Sequence, residues 1–444
     1  MPKDAVALAI ESLSWMEIDN LSERSSLIRT SKQLRIRDTN SLKMAHAMII
    51  ETMRRLNVID KVANTILSPQ SLEDYTMGVK SFIRLYLYWT RFRKSNIDQA
   101  AALLSAGRDI LGWKELSPVE FALGRILSAN INSVLSGSEG LNRLALETFH
   151  PSWYVEYCIR LLGRVEALRL LQANNEIPPV YIRANTLVVR ESDLVAELAK
   201  EGVELEPLRD VSSIYRVLTK NALTRLDAYK EGLFHIQDLS SCLVAIAAEP
   251  REGDIVLDVC SAPGSKTSHV AQLMKNEGRI LAIDRSASRI QLWEKEMRRL
   301  RVKIGEPIMA DAEQPLPLRN SADIVVLDPP CSNTGVFGKS PAAKWGVDMR
   351  TIGRMAAVQA RMIENCAERV KLGGKLLYAT CSITTEENEL VIERFLKRHP
   401  ELRLADTELK IGLPGLRGQV LCRRLYPHLH GCNGFFIAKL EREF

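Results

Sequence analysis

The chain has 444 residues, more than one ordinary hydrophobic core holds, so we expect two or three domains. Apolar residues make up 46% of the chain, which excludes wholesale disorder, and the net charge of +6 suits a partner with phosphates without requiring one. No apolar run approaches the ~20 residues that a membrane helix needs, and the N-terminal residues are a poor secretion signal. We therefore expect a cytoplasmic monomer that does not associate with membranes.

Eight cysteines are scattered along the chain without the close spacing of a disulfide scaffold. In a reducing compartment they are free thiols, and a thiol in a special setting is a candidate nucleophile. Three of them lie in stretches that indicate only structural roles, namely Cys158, Cys242 and Cys366.

Residues 1–145 are predicted to form an all-helical domain, because apolar clusters of helical length recur there between polar, proline and glycine breaks. One helix carries a run of basic and aromatic residues from Arg84 to Lys94. This run is either an RNA-contacting face, where aromatic rings stack on bases, or a buried helix whose last turn carries cations that suit the helix dipole. The pattern favours burial for the aromatic residues and does not decide for Arg91, Arg93 and Lys94.

Residues 146–232 are predicted to form a small α/β module. Its expected elements are, in order, a helix that ends near Leu171, a strand at 180–186, a helix at 193–200 and a strand at 215–218. Arg183 and Asn185 share one face of the first strand, where they either contact RNA or are ordinary solvated positions.

From residue 233 to residue 444 strands alternate with helices, which predicts a doubly wound, mostly parallel sheet. The expected strands lie at 255–260, 280–284, 324–328, 375–380 and 434–440, and the expected helices at 267–274, 287–299 and 355–370. In such a sheet ligands bind, and chemistry takes place, at the carboxyl ends of the strands.

The loop after the first of these strands has a single glycine, in Cys260-Ser261-Ala262-Pro263-Gly264-Ser265-Lys266. It therefore lacks the glycines of a dinucleotide site or a phosphate-binding loop. Asp284 ends the next strand, where a ribose-binding carboxylate belongs, and Arg289 follows one turn into the next helix. Asp311, in a later loop, is placed to reach an adenine amine. Ribose and adenine without pyrophosphate indicate S-adenosylmethionine, although each acid taken alone is more typical of a helix cap or a solvated turn.

Two cysteines follow two later strands, in the runs Asp328-Pro329-Pro330-Cys331-Ser332 and Thr380-Cys381-Ser382. A thiolate that adds to carbon 6 of a pyrimidine enables carbon 5 to attack a sulfonium methyl group, which divides one hard step into easier ones. Asp328 is placed to hydrogen-bond N3 and the 4-amine of the base, and Lys266 to favour the thiolate. A lone cysteine in an apolar stretch is usually a small buried hydrophobe, but two at strand ends, each followed by serine, favour catalysis.

A group of potential metal ligands lies near the C-terminus, at Cys422, His428, His430 and Cys432. Its spacing does not match that of a zinc site. We therefore expect no metal and interpret the region as a substrate-side loop with free side chains.

At these residues the chain resembles the RNA cytosine-5 methyltransferases of the Fmu/Sun type, which include the bacterial 16S ribosomal RNA enzymes. The likeness covers nearly the whole chain and depends most on residues 258–267, 328–335 and 378–382. Weaker matches lie at His150-Pro151-Ser152-Trp153, Arg183-Ala184-Asn185, Gln237-Asp238 and Lys344-Trp345. Asn433 departs from the family, which often has Asp at that place.

The resemblance implies a Rossmann-like class I methyltransferase domain at 233–444. It implies a small RNA-binding α/β module before that domain and an all-helical, NusB-like RNA-binding domain at the N-terminus. Cys381 would be the nucleophile and Cys331 would assist product release. Residues 260–266, Asp284, Asp311 and Asp328 would line the S-adenosylmethionine pocket.

The expected product is 5-methylcytosine in RNA, with ribosomal RNA favoured and transfer RNA as the alternative substrate. A function of another class is that of a catalytically silent RNA-binding or ribosome assembly factor. The intact set of Cys331, Cys381, Asp328 and Lys266 disfavours that alternative.

Overall fold

The computed structural model describes residues 2–219, 222–318 and 321–443. The chain divides into two compact units. The first, here called the helical unit, consists of Met1–Glu176 and Phe337–Val347, and the second, the sheet unit, of Ile177–Val336 and Asp348–Phe444. This division differs from the boundaries expected after residues 145 and 232, which stay predictions.

The helical unit has the all-helical character that its sequence predicts. Its helices are α1 Lys3–Ile18, α2 Glu23–Gln33, α3 Thr39–Arg54, α4 Leu56–Leu67, α5 Met77–Leu87, α6 Ile97–Leu111, α7 Trp113–Leu116, α8 Glu120–Ser128, α9 Ile131–Ser136, α10 Gly140–Glu147 and α11 Ser152–Ala173. A π-helical turn at Tyr88–Phe92 extends α5, and 3-10 turns lie at Leu72–Asp74, Ser117–Val119 and Pro341–Trp345. None of the helices in the described ranges combines the length and the apolar character needed to cross a membrane.

The basic and aromatic run on α5 is part of the core of this unit. Tyr86 and Trp89 are 2% and 4% exposed, so the RNA-stacking interpretation of these rings is wrong and the burial that the pattern favoured is confirmed. Arg84 forms ion pairs with Asp60 and Glu17. These pairs compensate much of the cost of burying a guanidinium group.

The last basic residues of the run behave differently from one another. Arg91 donates a hydrogen bond to the carbonyl of Leu127 at 2.8 Å. Arg93 is exposed and stacks its guanidinium on the ring of Trp89, 3.8 Å from the centroid. Lys94 is exposed. Arg93 and Lys94 therefore remain available at the surface, and a role in RNA contact stays a prediction for them.

A stretch from the C-terminal half of the chain, Phe337–Val347, belongs to the helical unit; we call it the inserted segment. Its Lys344 is fully buried and donates to the carbonyls of Arg54 and Phe149, the first at 2.9 Å. The indole of Trp345 donates to the carbonyl of Met53 at 2.6 Å. The weak family match at Lys344 and Trp345 therefore corresponds to buried packing contacts of this unit.

The sheet unit begins with a four-stranded antiparallel sheet in the order β2-β3-β1-β4. Its elements are β1 Val180–Ala184, α12 Glu191–Lys200, β2 Leu205–Pro207, β3 Ile214–Val217, α13 Asp227–Lys230 and β4 Phe234–Ile236. The predicted strands β1 and β3 and the helix between them are confirmed. The two further strands are only three residues long, too short for alternation to reveal them.

Both interpretations of Arg183 and Asn185 are wrong, because the two side chains are 1% and 2% exposed. Arg183 donates to Gln237 at 3.0 Å and to Ser268 at 2.8 Å. The amide of Asn185 donates to the carbonyls of Gly232 and Leu300 at 2.9 Å. These polar groups connect the small sheet to the elements that follow it.

The second sheet has nine strands, in the order β11-β12-β13-β9-β8-β5-β6-β7, with β10 paired to β13. Its strands and the surrounding helices are α14 Leu239–Ala248, β5 Ile255–Val259, α15 Ser265–Leu273, β6 Arg279–Asp284, α16 Ala287–Arg299, β7 Gly305–Met309, β8 Ala322–Leu327, α17 Met349–Ala367, β9 Val370–Thr380, α18 Glu389–Leu396, β10 Leu402–Ala405, β11 Leu413–Pro414, β12 Arg423–Leu425, α19 Pro427–His430 and β13 Phe435–Arg442. Strands β7, β6, β5, β8 and β9 are parallel, and β13 joins β9 antiparallel. The predicted doubly wound, Rossmann-like sheet is confirmed.

The chain leaves β5 first toward β6 and β7 on one side and later returns to β8 and β9 on the other. The order reverses at β5, and such a switch point opens a crevice at the carboxyl ends of the strands. Helix α17 begins at Met349, earlier than expected, because Asp348 caps it by accepting from the backbone N–H of Thr351 at 2.7 Å. The sequence analysis did not predict strand β7, because it is a largely exposed edge strand that contains Pro307.

Candidate active site

The two cysteines expected to act on a substrate lie at the ends of neighbouring parallel strands. Cys381 follows β9 directly, and Cys331 lies four residues after the end of β8 at Leu327. Their Sγ atoms are 2.9 Å apart, and both side chains are partly exposed. The structure therefore brings together the two thiols that the sequence analysis placed at one edge of the sheet.

Two glycines allow the cysteine loops to approach this closely. The N–H of Gly335 donates to the carbonyl of Cys381 at 3.0 Å, and the N–H of Gly434 donates to the carbonyl of Gly335 at 2.8 Å. A Cβ at Gly335 would lie 2.0 Å from the carbonyl oxygen of Gly434 and 2.8 Å from that of Cys381. No side chain fits there, so the backbone itself joins the two loops.

The thiol of Cys331 is held in its protonated form. A hydrogen bond with Cys381 and burial, followed by the charges of Cys381 and Glu387, raise the pKa of Cys331 well above its ordinary value. Asn333, in the left-handed region at φ +59°, places its Oδ1 atom 3.0 Å from Cys381 Sγ and 3.8 Å from Cys331 Sγ. The amide oxygen can therefore accept a hydrogen bond from either thiol.

Lys266 and Asp328 form a partly buried ion pair near the thiols. Lys266 Nζ lies 2.5 Å from Asp328 Oδ2 and 3.2 Å from Ser241 Oγ, and the lysine side chain is 10% exposed. Burial lowers the pKa of Lys266, but the charge and hydrogen bond of Asp328 and the charges of Asp258 and Cys381 outweigh it and raise that pKa. A cation is thus maintained within electrostatic reach of Cys381.

A cavity of about 260 Å³ lies at the switch point of the sheet, and both cysteines line it. Cys260, Ala262, Asp284, Arg289, Asp311 and Asp328, all expected around a cofactor, also line it. Burial raises the pKa of Cys260 to about 12, so its thiol forms a neutral wall of this cavity. The cavity thus joins the acid-lined side and the thiol side in one space.

Asp284 has spare hydrogen-bonding capacity. Its carboxylate accepts from the backbone N–H groups of Ala262 and Ser286, and Arg289 pairs with it at 3.3 Å. A carboxylate offers about four acceptor positions, so room remains for the hydroxyls of a ribose. The exposed Asp311 accepts from the N–H of Glu313 and has capacity for an amine. The residues present fit an adenosyl group.

Part of the predicted cofactor loop has a supporting position instead of lining the cavity. Gly264, at φ +104°, packs so closely on Trp293 and Met297 that a Cβ would lie 2.5 Å from the methionine. Ser265 contacts a ring nitrogen of His235 at 3.0 Å. Ser261, Pro263 and Lys266 are likewise not among the residues that form the cavity wall. They shape the turn between β5 and α15 that presents Cys260 and Ala262.

Several residues of the site were not singled out from the sequence. Arg285, Ala310, Ala312 and Met362 line the cavity, and Asn333 does so between the thiols. Arg285 follows the expected ribose acid directly, which was a usable signal. Ala310, Ala312 and Met362 become visible only through the fold, because small and apolar residues carry no chemical signature.

The four potential metal ligands near the C-terminus do not form a metal site. Over the ranges that the structure describes, no three His, Cys, Asp or Glu side chains converge in a way that could hold a metal ion. Cys422 and Cys432 are buried, and Cys422 Sγ contacts Gln419 Oε1 at 3.7 Å. His430 accepts from the N–H of Tyr426 at 2.9 Å. The expectation of free side chains in this region is wrong for these three residues.

Comparison with known proteins identifies relatives for most of the chain. Residues 245–441 match the family model of the 16S rRNA methyltransferase RsmB/F, and residues 150–220 match the ferredoxin-like domain of RsmF/B-like methyltransferases. The chain is 38% identical over 332 residues to the human 28S rRNA (cytosine(4447)-C(5))-methyltransferase, covering 69% of this chain and 40% of that protein. It is 28% identical to the probable ribosomal RNA small subunit methyltransferase B of Bacillus subtilis, over 98% of both chains. The chain thus spans less than half the length of the human relative.

Solved structures show the same architecture. The crystal structure of PH0851 superposes with a TM-score of 0.84 at 27% identity, covering 100% of this chain and 99% of that one. A methyltransferase homolog protein from Pyrococcus horikoshii is 30% identical with a TM-score of 0.62, covering 69% of this chain and 99% of its own. The NusB-like character of the N-terminal helices stays a prediction. The chain belongs to the RsmB/F family of methyltransferases.

Proposed function

We propose that the protein methylates carbon 5 of cytosine in RNA, with ribosomal RNA as its substrate and S-adenosyl-L-methionine as methyl donor. The observation that carries the proposal is the meeting of two thiols, 2.9 Å apart, near the partly buried Lys266–Asp328 pair and within the acid-lined cavity. A single thiol would suit many reactions. A pair of thiols with a lysine and a carboxylate suits covalent catalysis on a pyrimidine.

The cofactor, when bound, supplies an electrophilic methyl group. Asp284 and Asp311 hold its ribose and adenine, since both carboxylates line the cavity and have acceptor capacity left. Ala262 and Cys260 also line the cavity. This arrangement leaves the thiol side of the cavity for the base.

Cys381 acts as the nucleophile, and its Sγ forms a bond to carbon 6 of the cytosine. Lys266, kept protonated by Asp328, stabilises the thiolate before attack. Electron density moves toward N3 and O2 during the addition, so N3 takes up a proton from the Lys266–Asp328 pair, and the Asp328 carboxylate accepts a hydrogen bond from the 4-amine. Carbon 5 thereby becomes nucleophilic enough to accept the methyl group.

Release requires that the proton on carbon 5 leave to a base and that the Sγ–C6 bond break, with its electron pair returning to sulfur. Cys331, whose pKa is raised, keeps its proton and can hydrogen-bond the departing Cys381 sulfur at their separation of 2.9 Å. A departing thiolate stabilised in this way leaves faster.

Ribosomal RNA is supported as the substrate by the names of the relatives. The human relative is named for 28S rRNA and the Bacillus subtilis relative for the small ribosomal subunit. Because these names cover both subunits, the proposal extends to ribosomal RNA as a class. The proposal further includes a monomeric enzyme that acts in the cytoplasm and away from membranes, where a reducing environment keeps the thiols free.

The test supplies methyl-labelled cofactor and three RNA preparations, namely small-subunit rRNA, large-subunit rRNA and a tRNA mixture, all without modifications. Bisulfite sequencing then locates the modified cytosine. Label in rRNA at one cytosine supports the proposal. Label in tRNA alone would show that the substrate is tRNA and not rRNA. Cofactor binding without label in any RNA would overturn it in favour of a non-catalytic RNA-binding factor. Gel filtration of the active sample checks the monomer.

A further inference from the structure

Glu387 is a buried carboxylate that none of the steps above uses. It lies in the loop between β9 and α18 and is 0% exposed. Its Oε1 atom accepts from the N–H of Ser332 at 2.8 Å and from Gln359 Nε2 at 3.0 Å. Its Oε2 atom accepts from the hydroxyls of Ser332, Ser382 and Thr384, the last two at 2.6 and 2.9 Å. Five donors are more than enough to compensate the burial of one carboxylate.

The donors show what Glu387 connects. Ser332 directly follows Cys331, and Ser382 directly follows Cys381. One carboxylate thus joins the residues next to both thiols, although those thiols come from loops about fifty residues apart. Thr334 strengthens the same junction, because its hydroxyl lies 2.9 Å from that of Ser382 and accepts from the N–H of Ile383 at 3.1 Å.

The charge of Glu387 also distinguishes the two thiols. Cys381, Glu387 and Tyr378 interact electrostatically with Cys331, and Asp328 lines the same cavity as that thiol. The pKa of Cys331 is raised chiefly by its hydrogen bond with Cys381 and by burial, and further by the charge of Glu387. Cys381, in contrast, lies near the Lys266 cation. The two thiols therefore have different electrostatic surroundings.

We propose that Glu387 is a positioning residue that clamps the two cysteine loops together, so that Cys381 attacks and Cys331 assists release. The proposal rests on the proposed function for its catalytic consequence. Its structural part, the spacing and unequal ionisation of the thiols, can be measured in the resting enzyme without RNA.

The first test uses Glu387→Gln in the full-length protein, with iodoacetamide alkylation of each cysteine followed by mass spectrometry across pH 6–10. Loss of the charge should move the alkylation profile of Cys331 to lower pH, because that charge contributes to the raised pKa of the thiol. The matched control is Glu389→Gln. Glu389 is equally buried, but it binds Arg424 and the N–H of Leu416 and touches neither serine. The control should lose stability without moving the Cys331 profile.

The second test follows turnover. With rRNA and cofactor, Glu387→Gln should lower kcat about tenfold to a hundredfold and prolong the covalent RNA adduct, while KM for RNA changes less than about twofold. Ser332→Ala combined with Ser382→Ala removes hydroxyl donors but keeps the charge. This double variant should prolong the adduct without moving the alkylation profile.

A folded Glu387→Gln enzyme with the wild-type Cys331 profile and adduct lifetime would overturn the proposal. If Glu387→Gln does not fold, the double serine variant decides, and a normal adduct lifetime there refutes the clamp. Failure of the proposed function would be recognised separately, because the wild-type enzyme would then methylate no RNA while its alkylation profile still reported on Glu387.

Discussion

The helical unit and the sheet unit both bury cations, but they surround them differently. In the helical unit Lys80 is paired with Glu17 and Glu73, and Arg84 with Asp60 and Glu17. Each charged group in that network is paired with an oppositely charged group of the same network. Such a network contributes to the specificity and stability of packing and leaves little capacity for a ligand.

At the carboxyl edge of the large sheet, Lys266 is paired with Asp328, and Asp328 lines the cavity. Asp258 is 2% exposed, and its Oδ2 atom accepts from Thr267, while its Oδ1 atom has no hydrogen-bond partner among the described residues. Comparison of the two regions shows that burial of charge does not by itself mark a functional site. An ion pair whose carboxylate also lines a cavity, as Asp328 does, is the better indicator.

The largest effect is expected for Cys381→Ala, which tests whether the thiol edge is catalytic. Loss of the nucleophile should reduce methylation on the order of 10⁴-fold or more, with cofactor binding by calorimetry unchanged. Cys366→Ala serves as the control, because Cys366 is buried in α17 and is not among the cavity-lining residues. Turnover retained by Cys381→Ala would mean that another residue attacks carbon 6.

Cys331→Ala should separate attack from release. The adduct to Cys381 should form but break down slowly, since the departing sulfur loses its hydrogen-bond donor, and turnover should fall about 10²-fold. A denaturation-resistant shift of the protein–RNA band on a gel reports the adduct. Normal turnover without any adduct would contradict the role assigned to Cys331.

A matched pair of lysine variants compares the two regions directly. Lys266→Met should lower turnover about 10²-fold, because the Cys381 thiolate loses its cation. Lys80→Met should instead lower the free energy of unfolding by about 2 kcal/mol and leave activity per folded molecule unchanged. Urea unfolding and initial rates measure the two effects. The distinction between the two regions would be contradicted if both variants lost turnover or if both lost only stability.

A separate effect, on the pH dependence of stability, concerns Asp258. Burial raises the pKa of this carboxyl from 3.8 to about 6. Because the folded state holds the proton more tightly than the unfolded state, the stabilising contribution is complete below pH 4 and is lost as the pH rises through 6. The loss amounts to roughly 3 kcal/mol at most. Asp258→Asn should remove this dependence, as urea unfolding at pH 4, 5, 6 and 7 measures, and an unchanged slope would contradict the assignment.

The catalytic strands could be predicted because their signals are local. Alternation of apolar strands and helices defines the sheet, and the rule that ligands bind at strand ends places Cys331 and Cys381 at one edge. Arg183 could not be predicted as buried, because its partners Gln237 and Ser268 are distant in sequence. Glu387 was not predicted as a functional residue for a similar reason, since its hydrogen-bond donors come from two loops and a helix. A buried polar residue is recognisable only when its partners are known.

The inserted segment limits how the protein can be cut into parts. Removal of residues 2–176 would leave Phe337–Val347 in the shortened chain, but without the carbonyls that receive the ammonium of Lys344 and the indole of Trp345. An unmatched cation and a large ring would then face water, and exposed apolar surface of this kind promotes aggregation. To produce the sheet unit on its own, the inserted segment should therefore be replaced by a short polar linker.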